Sequence, residues 1–485
     1  MQLKFGTDGV RGVANLELTP EYAMALGRAV GEVLELEAVL IGRDTRKSGP
    51  MLGAALGAGL AAQGVDVVDV GVLPTPGVAF LAQRWALPGL VVSASHNPFY
   101  DNGIKLFTEE GHKAPPELER SLEEKIEELL GAPSYSLQTG SSAVTDKDRH
   151  WGERGSPSTP KPQGTTAPSS SLSGMDSLRI GSITMDPSGR KEYVSHLVQA
   201  AAGCSLKGMS IVVDCANGAA SVVAPEVFEL LGAAVYPINC NPNGININDG
   251  CGSTHPSALA QAVGELGADL GLAFDGDADR LVAVDRNGRV LDGDELIALF
   301  AIDLQEKGAL VNQAVVVTVM SNAGLSEALE KRGIATIRTE VGDRYVFHTM
   351  QERGLILGGE QSGHLVFRHL ATTGDGILTG VLLTELLHRK GVGLESLAGT
   401  IVQRLPQQLR NVAVANTQQL AEAGRLWAEV DRVQAEIGAR GRVLLRASGT
   451  EPLIRVMVEA PDPLQAEWAV QHLCQVVERE LGRPL

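Results

Sequence analysis

The sequence contains no apolar run approaching the roughly 20 residues a helix needs to span a bilayer. Its first residues reach Phe5-Gly6-Thr7-Asp8 without the apolar core of a secretory signal, so a cytoplasmic protein with no membrane partner is expected. Positive charge is scarce: 41 Lys and Arg stand against 58 Asp and Glu, a formal charge of −17. This balance disfavours nucleic acid and anionic membranes as partners, and any anionic substrate must be met by a locally basic site. The five cysteines, Cys204, Cys215, Cys240, Cys251 and Cys474, include no Cys-x-x-Cys pair. With no zinc or disulfide spacing, they fit a reducing compartment. The glycine-rich stretch from Phe5 to Gly12 lacks the spacing of a dinucleotide site, and no Gly-Lys pair occurs, which excludes a P-loop. Ser95 is not framed as Gly-x-Ser-x-Gly, which argues against an α/β-hydrolase.

What is present suggests several domains. At 485 residues the chain is too long for one core, and 44% apolar content is ordinary for a globular protein. Three segments repeat one order of events: an apolar strand ending in a polar turn, a small-residue helix closed by Gly, and a second strand. They begin at Val39, Ser210 and Ala314; their helices end near Gly64, Gly232 and Gly333, and their second strands cover 65–70, 233–236 and 334–337. Glycine suits the left-handed cap that ends a helix. Apolar strands alternating with helices predict parallel sheets covered on both faces, hence three similar α/β units of βαβ type. From about Leu405 the pattern changes to strand (412–415), long helix (417–437), strand at Val443, strand (454–459) and closing helix, which predicts a smaller α+β domain with an antiparallel sheet. The expected division is 1–133, 176–288, 289–402 and 403–485. Residues 134–175, rich in Ser, Thr, Pro and Gly without periodicity, are expected to form a disordered linker or insertion.

Four polar loops carry the chemistry. The run Val91-Val92-Ser93-Ala94-Ser95-His96-Asn97-Pro98 passes from a buried strand into a loop, and with Lys105 beyond it displays a hydroxyl, an imidazole and an ammonium. Phe274-Asp275-Gly276-Asp277-Ala278-Asp279-Arg280 offers three alternate carboxylates to one hard cation, and magnesium suits such a set. An EF-hand would need Gly and Glu where Arg280 and Arg286 stand. Gly359-Glu360-Gln361-Ser362-Gly363-His364 follows an apolar strand and offers Glu360, Ser362 and His364 to sugar hydroxyls or an amine. Arg446-Ala447-Ser448-Gly449-Thr450-Glu451-Pro452, with Arg455, has the makings of an anion cradle: hydroxyls and backbone N–H groups in a turn, and two guanidinium forks for phosphate oxygens. Together the loops imply phosphoryl transfer on a polyhydroxy substrate.

These four loops, in this order and spread over nearly the whole chain, resemble the signatures of the α-D-phosphohexomutases, and the flanks Phe5 to Gly12, Thr372 to Gly376 and Ser448 to Glu459 are most similar to the amino-sugar branch of that family. The resemblance implies four domains around a central cleft. It implies a phosphosugar substrate and a phosphoserine at Ser95, which with Asp275, Asp277 and Asp279 would hold one magnesium ion. It implies a hexosamine 1,6-bisphosphate as intermediate and activator, a phosphate site at Arg446, Ser448, Gly449, Thr450 and Arg455, and a substrate contact at Arg280. Acid–base work would fall to Lys105 and Arg11, with His96 nearby; Lys105 is the first choice because a lysine's pKa moves readily in a crowded cationic site. Mutases acting on mannose or glucose phosphates share this machinery and stay open as alternatives, as does a non-catalytic phosphosugar sensor. A homodimer also stays open. Ser93 is expected to be structural. Asp343 and Arg344, where glucose- and mannose-type relatives tend to place a histidine, receive no role.

Overall fold

The computed structural model describes residues 3–131, 179–448 and 452–482; the 134–175 stretch, Gly449 and Thr450 lie outside them. Four sheets follow one another along the chain. The first has seven strands, in the order Phe5–Gly6, Gly9–Val13, Asp101–Phe107, Gly89–Val92, Ala38–Arg43, Asp66–Val72 and Ile183–Met185. The second runs Val290–Leu291, Leu281–Asp285, Leu270–Phe274, Ser210–Asp214, Ala234–Ile238, and the third Ala335–Thr339, Ala314–Thr318, Leu357–Gly359, Leu365–Phe367. The last is a three-stranded antiparallel sheet, Gln407–Ala413, Leu453–Glu459, Arg442–Ala447. This is the expected class: three α/β units and a C-terminal α+β unit. Gly64, Gly232 and Gly333 all take the positive φ their positions after the helices require.

The three larger sheets are only partly parallel, unlike the expectation. In each, a central strand pairs in parallel on one side and antiparallel on the other: Gly89–Val92 with Ala38–Arg43 and with Asp101–Phe107, Leu270–Phe274 with Ser210–Asp214 and with Leu281–Asp285, Leu357–Gly359 with Ala314–Thr318 and with Leu365–Phe367. The reason is the polar loop after each central strand. It is a hairpin connection, short enough to return the chain beside itself rather than cross over a helix. The fourth loop likewise joins Arg442–Ala447 to Leu453–Glu459. The fold thus sets each of the first three chemically distinctive loops at a hairpin tip, braced by two hydrogen-bonded strands.

Two further differences have local causes. Ile183–Met185, which the sequence division gave to the second unit, pairs in parallel with Val67–Asp69 and completes the first sheet. The helix expected over 417–437 is interrupted: a 3-10 turn (Thr417–Glu422) precedes the helix Gly424–Ile437, because Ala423 takes φ −77, ψ 67. The indole N–H of Trp427 takes up the Leu420 carbonyl at 2.8 Å.

One apolar cluster extends from Leu40 and Phe107 through Phe228 and Phe274 to Leu383 and Val402, so the first three units share a core. The last unit packs its own core between its sheet and the helices Gly424–Ile437 and Pro463–Leu481. Among the described residues no helix is long and apolar enough to cross a membrane. Buried Asn322 joins the last two units. It caps the helix Ala323–Glu330 by accepting from Gly324 N at 3.0 Å, and its amide both accepts from and donates to the Leu405 backbone, each at 3.0 Å. Asn322→Ala removes the cap and strands a buried N–H and C=O, so it is expected to destabilise the protein by about 1–3 kcal/mol. Thermal melts of the variant and parent check this; an unchanged melting temperature would contradict it.

Candidate active site

Ser95 sits at the tip of the 93–100 hairpin, 1% exposed and at φ +51, a conformation held by its surroundings rather than by glycine. The group chiefly responsible is Arg46, among the largest fully buried side chains of the described residues. Its guanidinium donates to the Ser95 carbonyl at 2.8 Å, to Asn97 O at 2.9 Å, to Asp101 O at 3.0 Å and to Pro98 O, while its Nε binds Asp44 at 2.8 Å. Asp44 in turn accepts from Ser93 Oγ at 2.7 Å, and Ser93 Oγ accepts from Ser95 N at 3.0 Å. Ser93 is thus a strut for Ser95. Asn248 Nδ2, from the second unit, donates to the Ser95 and Asn97 carbonyls at 2.9 and 3.0 Å.

The acidic loop meets this hairpin directly. Ser95 Oγ donates to Asp275 Oδ2 at 2.6 Å. The approach requires Gly276: a Cβ there would lie 2.6 Å from the Ser95 carbonyl and 2.8 Å from the Asn248 amide. Asp275, Asp277 and Asp279 are all buried, and each offers an oxygen within 4.8 Å of the others. Asp277 Oδ1 and Asp279 Oδ1 have no hydrogen-bond partner among the described residues. Orphaned carboxylate oxygens in such a cluster suit a hard divalent cation. Burial, then Asp279 and Asp277, hold the Asp275 pKa well above its ordinary value. Asp279 goes the other way: burial opposes its charge, but Lys105 and His364 outweigh it and the pKa is held well down.

Lys105 lies in the second strand of the hairpin and is 1% exposed; its Nζ is 2.7 Å from Asp277 Oδ2 and 3.6 Å from Asp279 Oδ2. The crowded cationic setting expected for it is therefore anionic. Burial works against its charge, yet Asp277, Asp279 and Asp8 prevail and raise its pKa; a cation held by Asp277 and Asp279 would offset much of the negative charge that does so. His96 Nδ1 is 3.5 Å from Ser95 Oγ, and burial together with Arg280 and Arg11 lowers its pKa to about 4. Arg11 binds Asp8 at 2.7 Å and Asn97 Oδ1 at 3.4 Å, and its Nε is left without a partner among the described residues.

The third hairpin splits its three candidates. Glu360 and Ser362 line a cavity of about 510 Å³ together with Arg280, Thr318 and Arg404. His364 instead turns toward the acidic loop, with Nδ1 3.7 Å from Asp279 Oδ2 and Nε2 accepting from Gly374 N at 3.0 Å, so it braces that loop rather than facing a sugar. Burial works against charge on His364, but Asp279, Asp343 and Glu360 raise its pKa to about 9; the Gly374 N–H aimed at Nε2 fits only the neutral ring protonated on Nδ1, so taking up that charge costs the Gly374 contact. Asp343 and Arg344 tie the third unit to the first: Asp343 pairs with Lys113, which also binds Asp8 at 2.6 Å, and Arg344 forks onto Glu119, with one arm at 2.9 Å.

In the last unit, strand register sets Arg446 directly opposite Arg455. Arg446 Nε, Arg455 Nε and Ser448 Oγ are buried without hydrogen-bond partners among the described residues. Burial and the neighbouring Arg455 lower the Arg446 pKa. Two adjacent guanidinium groups with unmet donors form a site that an anion would satisfy. Sequence reading had singled out neither Arg46, Asn248 and Lys113 nor Thr75, whose hydroxyl donates to Asp277 Oδ2 at 2.6 Å. The Arg-Asp-x-Arg run around Asp44 was the one available signal, and it reads as an ordinary polar turn.

Comparison with known proteins agrees with this arrangement. Four family models for phosphoglucomutase/phosphomannomutase match in order: alpha/beta/alpha domain I at residues 2–131, domain II at 191–288, domain III at 292–405 and the C-terminal domain at 409–472. A phosphoglucosamine mutase of Symbiobacterium thermophilum is 45% identical over 99% of this chain and 100% of its own, and one of Desulforudis audaxviator is 46% identical over 98% and 97%. Among solved structures, a phosphoglucomutase/phosphomannomutase family protein of Burkholderia thailandensis superposes with a TM-score of 0.74 at 24% identity, covering 99% of this chain and 98% of its own. An Aspergillus fumigatus N-acetylphosphoglucosamine mutase, solved with GlcNAc-6P and magnesium, superposes with 0.66 at 19% identity, covering 99% and 96%. From the four loops and these relatives together, the chain belongs to the phosphoglucomutase/phosphomannomutase family of the α-D-phosphohexomutase superfamily.

Proposed function

We propose that this chain interconverts glucosamine 6-phosphate and glucosamine 1-phosphate, as its full-length relatives' names indicate, using a phosphate carried on Ser95. The observation that carries the reading is the 2.6 Å contact between Ser95 Oγ and Asp275 at the edge of three buried carboxylates. Phosphoryl transfer leaves little covalent chemistry to the protein beyond placing the groups and countering charge. Magnesium bound by Asp275, Asp277, Asp279 and the Ser95 phosphate would neutralise charge on the transferring group.

The phosphoryl group leaves Ser95 Oγ for the free hydroxyl of the sugar phosphate, giving the 1,6-bisphosphate. That intermediate turns end for end and returns its other phosphoryl group to Ser95, releasing the isomer. Arg46 and Asn248 hold the Ser95 hairpin through its carbonyls, so the oxygen that gives and takes the phosphate keeps its place. Lys105 and Arg11 supply positive charge beside the transfer. His96 Nδ1 stands 3.5 Å from Ser95 Oγ, beside the bond that breaks and re-forms, and with Lys105 and Arg11 makes up the set proposed for acid–base work. Arg446, Ser448 and Arg455, with Gly449 and Thr450, grip the phosphate that is not reacting. They bind it by charge and donors alone, so either isomer is accepted. Glu360 and Ser362 bond the sugar, and the Glu360 carboxylate suits the substrate ammonium.

Coupled assays with glucosamine, glucose and mannose 6-phosphates test the substrate. Turnover per KM should be at least about tenfold higher for the amino sugar, matching one charge-assisted contact of about 1.4 kcal/mol; equal or higher values for the other two would move the reading to a phosphoglucomutase or phosphomannomutase. Intact-mass analysis should find one phosphate on Ser95, and Ser95→Ala should remove both it and turnover. Full activity of that variant would refute the carrier.

A further inference from the structure

The reaction uses no cysteine, yet Cys215, Cys240 and Cys251 all lie in loops with which the second unit grips the catalytic hairpins. Asn217 O accepts from Thr45 Oγ1 at 2.6 Å, Ala219 N donates to Gly276 O at 2.8 Å, and Asn248 holds the Ser95 and Asn97 carbonyls. The parallel strands Ser210–Asp214 and Ala234–Ile238 run in register to Asp214 and Ile238. Their ladder continues past the strand ends, with Cys215 N donating to Ile238 O at 3.2 Å and Asn217 N to Asn239 O at 2.6 Å. The two loops therefore leave the sheet side by side, and Cys215 lies in the apolar cluster against which Cys240 packs. Cys215 is fully buried, while Cys240 is partly exposed and directs its thiol at Ser221 O at 3.6 Å.

We propose that Cys215 and Cys240 are an oxidisable pair, which a low-molecular-weight disulfide converts to an intrachain disulfide at the point where the second unit holds the Ser95 loop. The Cys240 thiolate attacks one sulfur of the reagent, R–S–S–R, forming a mixed disulfide and expelling one RS⁻. Cys215 then loses its proton to solvent and attacks Cys240 Sγ, expelling the second RS⁻. Two protein thiols are oxidised and one reagent disulfide is reduced to two thiols. The division of labour follows the surroundings. The neighbouring Cys215 thiol draws the Cys240 pKa down to about 7, so the partly exposed Cys240 is the nucleophile, and the buried Cys215 resolves. Cys251 is unsuited: burial, Asp214 and Asp249 push its pKa up to about 12. An S–S bond of about 2.05 Å is shorter than any non-bonded sulfur–sulfur contact. Closing it draws the loops together and displaces Asn217, two residues from Cys215; the Asn217 carbonyl holds Thr45 beside the Arg46 that fixes the Ser95 hairpin.

The test is incubation of the folded, full-length protein with glutathione disulfide, followed by thiol titration and peptide mapping without reductant. The proposal expects two of the five thiols to be lost, the peptides of Cys215 and Cys240 to be linked, no glutathione to remain, and turnover to fall and return on adding dithiothreitol. Cys215→Ser should keep one glutathione on Cys240. Cys240→Ser should lose no thiol and no activity, and Cys251→Ser should oxidise like the parent. Survival of all five thiols, linkage through Cys204, Cys251 or Cys474, or equal loss of activity in Cys240→Ser would each overturn it. The partly exposed Cys240 position keeps the proposal falsifiable if the buried Cys215 variant does not fold.

Discussion

Three carboxylates confined within 4.8 Å in a buried site repel one another strongly, and much of the structure can be understood as what makes that arrangement bearable. The relief is unequal. Asp277 and Asp279 face the buried Lys105, and Asp279 also faces His364, whereas Asp275 has the Ser95 hydroxyl and the more distant Arg280. Hence Asp279 is stabilised as an anion and Asp275 is not. The residual negative potential and the orphaned oxygens remain centred beside Ser95, where a cation and a phosphate would complete the balance.

Such a site demands rigid parts drawn from separate units. Hairpin tips supply the rigidity, because each loop is anchored by paired strands on both sides. Contacts between units supply the assembly: Asn248 reaches from the second unit to the first, and Lys113 bridges Asp8 to Asp343 in the third. Arg344 adds a fork onto Glu119. The buried Arg46 does the finer work. One guanidinium satisfies four carbonyls of the Ser95 hairpin at once, which a lysine's compact ammonium could not do in a fixed plane.

The class of fold was legible because strand, helix and glycine cap repeat three times from Val39, Ser210 and Ala314, and because the pattern changes near Leu405. The antiparallel half of each sheet was not, since an apolar strand before a polar loop looks the same whether the chain then crosses over or turns back. The loops that meet at Ser95 stood out by composition. The residues that hold them did not: Arg46 and Asn248 act across about 50 and 150 positions of sequence, and nothing local marks a charged side chain as fully buried. Lys105 illustrates the same limit. Its place in a reactive loop could be read, but whether its neighbours are cations or carboxylates depends on which unit folds against it, and Asp277 and Asp279 come from another.

The claim beneath this account is that the Ser95 phosphate and the three carboxylates share one divalent cation. Phosphorus NMR of the phosphorylated protein, titrated with manganese in place of magnesium, tests it most directly, because a paramagnetic ion broadens only nuclei close to it. The phosphoserine resonance should broaden beyond detection at about one equivalent of manganese, and Asp277→Asn should restore a sharp line. A sharp phosphoserine line in the parent protein at saturating manganese would contradict it.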